Sequence, residues 1–485
     1  MFGSAAAPYG GVHKDQSQGG QRWQVIRNYG GELDYGWWLA ADTSGAVGAS
    51  LIAFAVPLMM LATTGSSAAA TTTESICVVV QTVLGLAGGV IQDRYDRRTL
   101  MLIWGASGVV LSAVAAAAVM LFGNAPKTSG HGVNGANAPA FGGPYAHVLP
   151  IALLCIVVLF SVRDGLLENT SNAMLRGVVP DEQLPHAMAL NDARDSTVTL
   201  AGGPLGGLLM TVGHAVLFLT SAVLSVLGMV SAWRIRRYWK RATVDDSGHS
   251  GNADDAADDA IDVSGAITAA PRWRDALDGM IWLLCDRFQR HLIIAATMVT
   301  GASNAFLLLT ALDISQGGSQ LISAGFINAA SAVGMLLGAL MASQLVNRVP
   351  GGVLVGVMFA LLAAGFTGAA LVPSMVGKAI FVACSVLALP AGNAVLGGLS
   401  NTLVGKDKLG RVGAGSMVLQ YGAYGVAVAL AGWGMQTIGY GPTCLILATV
   451  LVAAAAYALT MRSLITLPTP DRWAEHIQRW SIAQF

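Results

Sequence analysis

Apolar runs of about the length needed to cross a bilayer, separated by short polar turns, organise most of this chain. A helix needs about 20 predominantly apolar residues to cross the hydrocarbon core. Such runs lie near 37–62, 73–92, 99–122, 148–175, 187–212 and 214–233. A second set lies near 291–312, 317–346, 351–372, 376–403, 409–437 and 441–462. The pattern predicts an all-α membrane protein with twelve transmembrane helices in two six-helix bundles. The fifth run is the most dilute, because Asn191, Asp192, Arg194 and Asp195 interrupt its start.

Basic residues supply an independent check, since cytoplasmic loops collect Lys and Arg. Counting runs places Arg94, Arg97, Arg98, Arg176, Arg348, Lys406, Lys408 and Arg411 on one side. The central linker joins them with Arg234, Arg236, Arg237, Lys240, Arg241, Arg272, Arg274, Arg287 and Arg290. The opposite loops hold only Lys127 and Lys378. Arg176 and Arg234 share a side only if an even number of spans separates them, so the doubtful fifth run counts as a span. Both termini are then expected in the cytoplasm.

The chain divides accordingly into a cytosolic tail (1–36), a first bundle (37–233), a cytosolic linker (234–290), a second bundle (291–462) and a cytosolic tail (463–485). The N-terminal tail lacks a basic stretch leading into an apolar core, so no cleaved leader is expected. The linker runs from its basic cluster through Asp245, Asp246, Asp254, Asp255, Asp258, Asp259 and Asp262, a stretch too polar to pack. It ends in Trp273, Leu277, Ile281, Leu284 and Phe288 at helical spacing, the pattern of an interfacial helix.

Composition agrees with a lipid environment. Charged residues make up 11% of the chain and hydrophobic ones 54%, with a mean hydropathy of +0.60. Soluble domains carry roughly 25% charged residues, so this chain has too few to cover a water-facing surface. The 59 glycines suit close helix–helix contact in lipid. A net charge of zero gives no sign of nucleic-acid binding. The five cysteines are scattered, with no metal or redox spacing, and no cofactor or metal is expected. His131 and His147, in the 123–147 loop, read as solvated rather than as ligands.

Two local patterns stand out. After the second span, Gly88-Gly89-Val90-Ile91-Gln92-Asp93-Arg94-Tyr95-Asp96-Arg97-Arg98 forms a tight charged turn. Asp93 and the arginines are suited to pair with a helix start in the other half; a carboxylate near a helix N-terminus gains about 0.3–1 kcal/mol. A membrane anchor would need only the arginines. Within the fifth span, Gly202-Gly203-Pro204-Leu205-Gly206-Gly207 combines a lost backbone hydrogen bond with small residues, predicting a bent, closely packed helix.

The turn resembles the signature of the major facilitator superfamily, which has a glycine, three residues, Asp-Arg, one residue, then Gly-Arg-Arg. Gly89, Asp93, Arg94, Arg97 and Arg98 match it, and Asp96 replaces the second glycine. The Asp-Arg-x-Asp-Arg-Arg form resembles the branch of macrolide and enterobactin exporters. So do Leu61-Ala62-Thr63-Thr64-Gly65-Ser66, Val178 through Leu184 followed by Ala189-Leu190-Asn191, and Gly410-Arg411-Val412. The resemblance extends from Tyr35 to Arg462 and implies a drug:proton antiporter, with the turn as an inner-gate clasp. The corresponding turn of the second half, Gly338 through Arg348, lacks the acid, so the implication stops at the first half. Gly202 to Gly207 is similar to the antiporter motif, with its proline one place late.

Charges inside spans cost about 2.5–3.5 kcal/mol at a helix centre, so they mark function. Asp164 and Glu168 in the fourth span, Asp192, Arg194 and Asp195 in the fifth, and Asp42 in the first are the proton-coupling candidates. Glu168 lies eight residues before Arg176 and Arg194 seven residues into its span, so the two groups share a depth. A Glu168–Arg194 pair is expected, with Asp192 or Asp195 exchanging a proton; a static ion-pair network is the structural alternative. Arg163 lies nearest mid-membrane and suits an anionic substrate group. Asn304, Phe306, Asn328, Asn393, Gln420, Tyr421 and Tyr424 are candidates to line a cavity between the halves.

These features imply proton-coupled efflux of a drug-like or siderophore-like molecule by a monomer in the cell membrane, with the substrate, protons and lipid as partners. Proton-coupled nutrient uptake and a transport-inactive sensor are the alternatives. No cluster of nucleophiles or ligands points to an enzyme, and the phosphate-binding loop of an ATP-driven pump is absent.

Overall fold

The computed structural model describes residues 32–122, 148–168, 170–179, 184–235, 273–316, 321–404 and 409–480. The polar tail 1–31, the loop 123–147 and the acidic linker stretch, expected as solvated segments, lie outside the described residues. Every described regular element is helical.

The first half contains α1 (Glu32–Thr64), α2 (Ser67–Arg94), α3 (Arg97–Phe122), α4 (Val148–Leu167), α5 (Thr170–Val178), α6 (Leu184–Val212) and α7 (His214–Arg234). After the linker helix α8 (Trp273–Cys285), the second half contains α9 (Arg287–Gln316), α10 (Leu321–Arg348), α11 (Gly351–Leu371), α12 (Met375–Ser385), α13 (Leu389–Leu403), α14 (Leu409–Ile438) and α15 (Tyr440–Leu459). Two short helices follow, α16 (Arg462–Ile465) and α17 (Trp473–Trp480).

Among the described residues, eleven helical stretches are long and apolar enough to span a membrane. The twelfth span is α6, whose apolar part shrinks to Thr197–Val212 because its first turns carry the charges. The chain is therefore a multi-pass membrane protein with two six-span bundles.

Two local outcomes differ from the sequence expectation. The fourth span is not one helix: α4 ends at Leu167 and α5 restarts at Thr170. The tenth is split between Ser385 and Leu389, where the Leu387 N–H bonds the Cys384 carbonyl and the Leu389 N–H bonds that of Val386. These i−3 bonds tighten the chain just before Pro390, which cannot donate to the preceding turn and so sits at the start of a new helix. By contrast, α6 runs unbroken through Pro204.

The C-terminal residues 463–480 are docked rather than free. The Gly351 and Gly352 N–H groups, orphaned at the start of α11, donate to the Pro468 and Leu467 carbonyls at 3.2 and 2.9 Å. Trp473 packs against Gly398 and donates its indole N–H to Pro468 at 3.1 Å. The linker helix lies on α14, with Gly415 directly beneath the Met280 backbone, while Ile281 and Leu284 stay exposed.

Glycine and serine contacts set the packing within the first half. Gly105 and Gly108 of α3 face Met229 and Ser225 of α7, and Gly88 of α2 faces the Gly165 and Leu166 carbonyls of α4. With no hydrophobic drive between helices in lipid, such close approach supplies the dispersion contacts that hold the bundle. Spans α2 and α14 pair across the two halves, as do α6 and α10.

Candidate functional site

The Gly65 turn, which joins α1 to α2, marks one end of the molecule, and the Arg97 turn, which joins α2 to α3, marks the other. Gly65 takes a positive φ of 66°, a conformation glycine adopts without strain.

At the Gly65 end the halves are stitched along α2 and α14. Ser66 Oγ donates to Gln436 Oε1 at 2.9 Å, Ser67 Oγ to the Gly432 carbonyl at 3.3 Å, and Ser75 Oγ to the Gly425 carbonyl at 2.6 Å. Further into the molecule, Tyr424 donates its phenol to Glu74 Oε1 at 3.2 Å. Thr71 lies against Gly432, and Gly425 against Ser75 and Val79, so no side chain holds the two backbones apart. The second seam is made by the glycine segment of α6. A Cβ on Gly203 would come within 2.9 Å of the Gly325 carbonyl of α10, while Gly206 faces Phe54 of α1.

Between these seams lies a cavity of about 580 Å³. Its apolar wall includes Phe54, Leu58, Met335, Met358, Phe359 and Phe366, and its polar groups include Asn304, Asn328, Asn393, Gln420 and Tyr424. These last five are candidates that the sequence supplied, and the fold brings them to one chamber. Thr300 Oγ1 donates to Gln420 Oε1 at 3.3 Å, and Asn304 donates to the Thr300 carbonyl at 2.8 Å. Phe306 does not line it: it is fully buried, packed edge-on against Phe366 at 5.0 Å between ring centres. Tyr421 is 43% exposed and reaches the cavity only through its ring contact with Tyr424.

A second, polar chamber of about 470 Å³ opens within the first half and shares Ser50, Ala53 and Thr199 with the first. It is lined by Asp42, Gln81, Trp104, Asp164, Glu168, Arg194 and Asp195. Five of the six proton-coupling candidates therefore meet in one chamber; the side chain of Asp192 lies outside the described residues.

The pairing differs from the expected one. Arg194 Nη1 meets Asp42 Oδ2 at 2.5 Å, and its Nη2 meets Asp195 Oδ1 at 2.5 Å. Glu168 instead accepts from Gln81 Nε2 at 2.7 Å. Equal depth did bring Glu168 and Arg194 to one chamber, but their partners come from α2 and α1. Arg163 is also redirected, being absent from the lining of both chambers. It is buried, paired with Asp164 at 2.6 Å, and stacked at 4.9 Å on both Trp104 and Phe160. Trp104 Nε1 donates to the same Asp164 oxygen at 3.2 Å.

At the Arg97 turn, Asp96 accepts from the Thr99 N–H at 3.2 Å and from Thr99 Oγ1 at 2.8 Å, and so caps α3. That local task accounts for an acid where the signature has glycine. Arg98 donates to the Ala232 and Trp233 carbonyls at the end of α7, within the same half. The side chains of Asp93 and Arg94, and the surroundings of Gly89, lie outside the described residues, and Arg97 engages partners of its own there. Gly202 and Gly207 are both buried in the glycine segment, with Gly202 against Ser50.

Sequence reasoning missed Glu74, Gln81 and Trp104. Glu74 carries the same signal as the other in-span acids, a charge inside an apolar run, but it stands close to the start of the run, where a charge is inexpensive. Trp104 and Gln81 gave no signal, because only a folded partner makes them polar contacts.

Two bundles of six spans, seamed at one end around a chamber with polar groups, are the architecture of a membrane transporter. The major facilitator superfamily profile matches residues 43–431. The chain belongs to that superfamily. No curated protein matches it. Among solved structures, a bacterial homologue of the iron transporter ferroportin in an inward-facing state is similar at 16% identity and a TM-score of 0.63, covering 88% of this chain and 98% of its own. A D-xylose–proton symporter gives 12% identity and 0.60, covering 90% and 98%. A POT family transporter, in complex with a thioalcohol-conjugated peptide, gives 11% and 0.63, covering 89% and 96%. At these identities the likeness is one of fold.

Proposed function

We propose that this protein is a proton-coupled exporter of a drug-like or siderophore-like small molecule, working as a monomer in the cell membrane by alternating access. The Arg97 end faces the cytoplasm, where basic loop residues collect, and both termini lie on that side. The central chamber binds the substrate, and the chamber around Arg194 handles the proton. In this scheme Asp42 and Asp195 share one guanidinium, and a rocking of α1 against α6 would strip Arg194 from one of them. A carboxylate left buried without its cation takes up a proton. Glu168, held by a neutral glutamine rather than by a cation, is the second acid placed to exchange one. The charged turn from Gly89 through Arg98 acts as the cytoplasmic clasp, and the close-packed segment Gly202 to Gly207 carries the motion at the α6–α10 seam.

The observation that carries this reading is the joining of the two chambers through Ser50, Ala53 and Thr199. Substrate site and ion-pair network share a wall, so occupancy of one can bear directly on the other. The resemblance to the macrolide and enterobactin exporters supplies the direction. A susceptibility panel on cells lacking and overproducing the protein, with and without a protonophore, tests it. Overproduction is expected to raise tolerance to some compounds, and the protonophore to abolish the difference. Equal tolerance throughout, with substrate accumulating in intact cells, would replace export with uptake.

A further inference from the structure

The central chamber contains a recognition group that no motif singled out. Glu74 lies on α2, in the wall of the chamber, and the described lining residues include no arginine or lysine. Its resolved side-chain partner is the Tyr424 phenol, a neutral donor from the other half of the molecule. The other acids of the first half that line a chamber are in the polar one, where Arg194 serves Asp42 and Asp195, Arg163 serves Asp164, and Gln81 donates to Glu168. An acid in a membrane-embedded wall, unmatched by any cation of the lining, is costly to keep charged until a proton or a positive group meets it. The rest of the wall is aromatic rings, methionines and carboxamides, which receive a bulky apolar body and compete little for its charge. Aromatic rings such as Phe54, Phe359 and Phe366 in the wall also suit a cation where it meets a ring face.

We infer that the central chamber takes an amphiphilic organic cation, that Glu74 is the carboxylate recognising its charge, and that engaging it releases Tyr424 and so loosens the α2–α14 seam. The seam makes the second half of the inference specific. Among the described residues Glu74–Tyr424 is its innermost rung, and the groups of the three serine rungs beyond it do not line the chamber. A cation drawn to Glu74 competes with the one rung that faces the chamber, so binding is coupled to the barrier that closes the Gly65 end. This rests on the transporter reading of the chamber and is independent of export, uptake or proton coupling.

The test is equilibrium binding to the purified full-length protein, using tetraphenylphosphonium as cation and triphenylphosphine oxide as a neutral probe of similar bulk. The wild type is expected to bind the cation at least tenfold more tightly. Glu74→Gln should remove most of that preference while changing the neutral probe's affinity less than about twofold. Tyr424→Phe, which frees the carboxylate from its phenol, should bind the cation more tightly than wild type. A wild-type protein that binds both probes alike, or neither, overturns the inference without need of any variant. So does a Glu74→Gln protein, folded by its thermal midpoint, that keeps the preference. Failure of the export reading would show instead in the susceptibility panel, with the binding preference intact.

Discussion

At the scale of single residues, the polar chamber is organised by the fork of Arg194. One guanidinium reaches Asp42 on α1, Asp195 on α6 and, at 3.4 Å, Thr43 Oγ1. A lysine offers a point charge on a flexible stem and cannot hold two carboxylates in one plane. Hydrogen bonds to charged groups contribute about 1.5–3 kcal/mol, so Arg194→Lys should cost about that much. The loss should appear as a lower thermal midpoint of the detergent-purified protein. Asp195, whose side chain is 48% exposed, contributes less than Asp42 at 14%, and Asp195→Asn should fall only slightly. Equal losses for Asp42→Asn and Asp195→Asn would contradict the unequal burial of the two pairs. The in-span charges were legible as a group. Their partners were not, because counting residues along a helix gives depth but leaves open which way each side chain points around the axis.

At the scale of elements, glycine decides where spans can meet. Gly325 on α10 sits so close to the Gly203 carbonyl and the Pro204 nitrogen that a Cβ there would overlap backbone, which cannot move aside as a side chain can. Across the other seam Gly432 faces the Thr71 side chain, whose branched Cβ, Oγ1 and Cγ2 an added Cβ would overlap. Gly325→Ala and Gly432→Val should each push the halves apart at the Gly65 end. A reporter at the buried seam residue Ser67, as Ser67→Cys, should then react faster with a membrane-impermeant maleimide. Unchanged labelling would mean that the seam accommodates the added atoms. The sequence signalled the α6 segment through its run of glycines around Pro204. The partner glycine on α10 stood alone in an apolar stretch and carried no signal. The break before Pro390 was similarly unmarked, since hydropathy runs through it unchanged.

At the scale of the whole molecule, the span count and the arginine bias make a topological statement that can be checked directly. Tyr95, in the Arg97 turn, and Arg348, at the end of α10, should be labelled as cysteine variants from one compartment. Gly439, between α14 and α15, should be labelled from the other. Labelling of Tyr95→Cys and Arg348→Cys from opposite sides would break the parity on which the two bundles rest.

The sequence by itself determined that this chain lives in lipid and how many times it crosses. Hydropathy, span length and basic residues act locally along a chain, and lipid imposes them whatever the packing. Even the weak fifth span followed from the requirement that Arg176 and Arg234 share a side. Only the tertiary structure decided that Arg194 belongs to Asp42 and Glu168 to Gln81, that Arg163 is tied to Asp164 and Trp104, and that Glu74 faces the central chamber beside Tyr424. Those assignments depend on the rotation of each helix about its axis and on contacts hundreds of residues apart in the chain, and one-dimensional patterning holds neither.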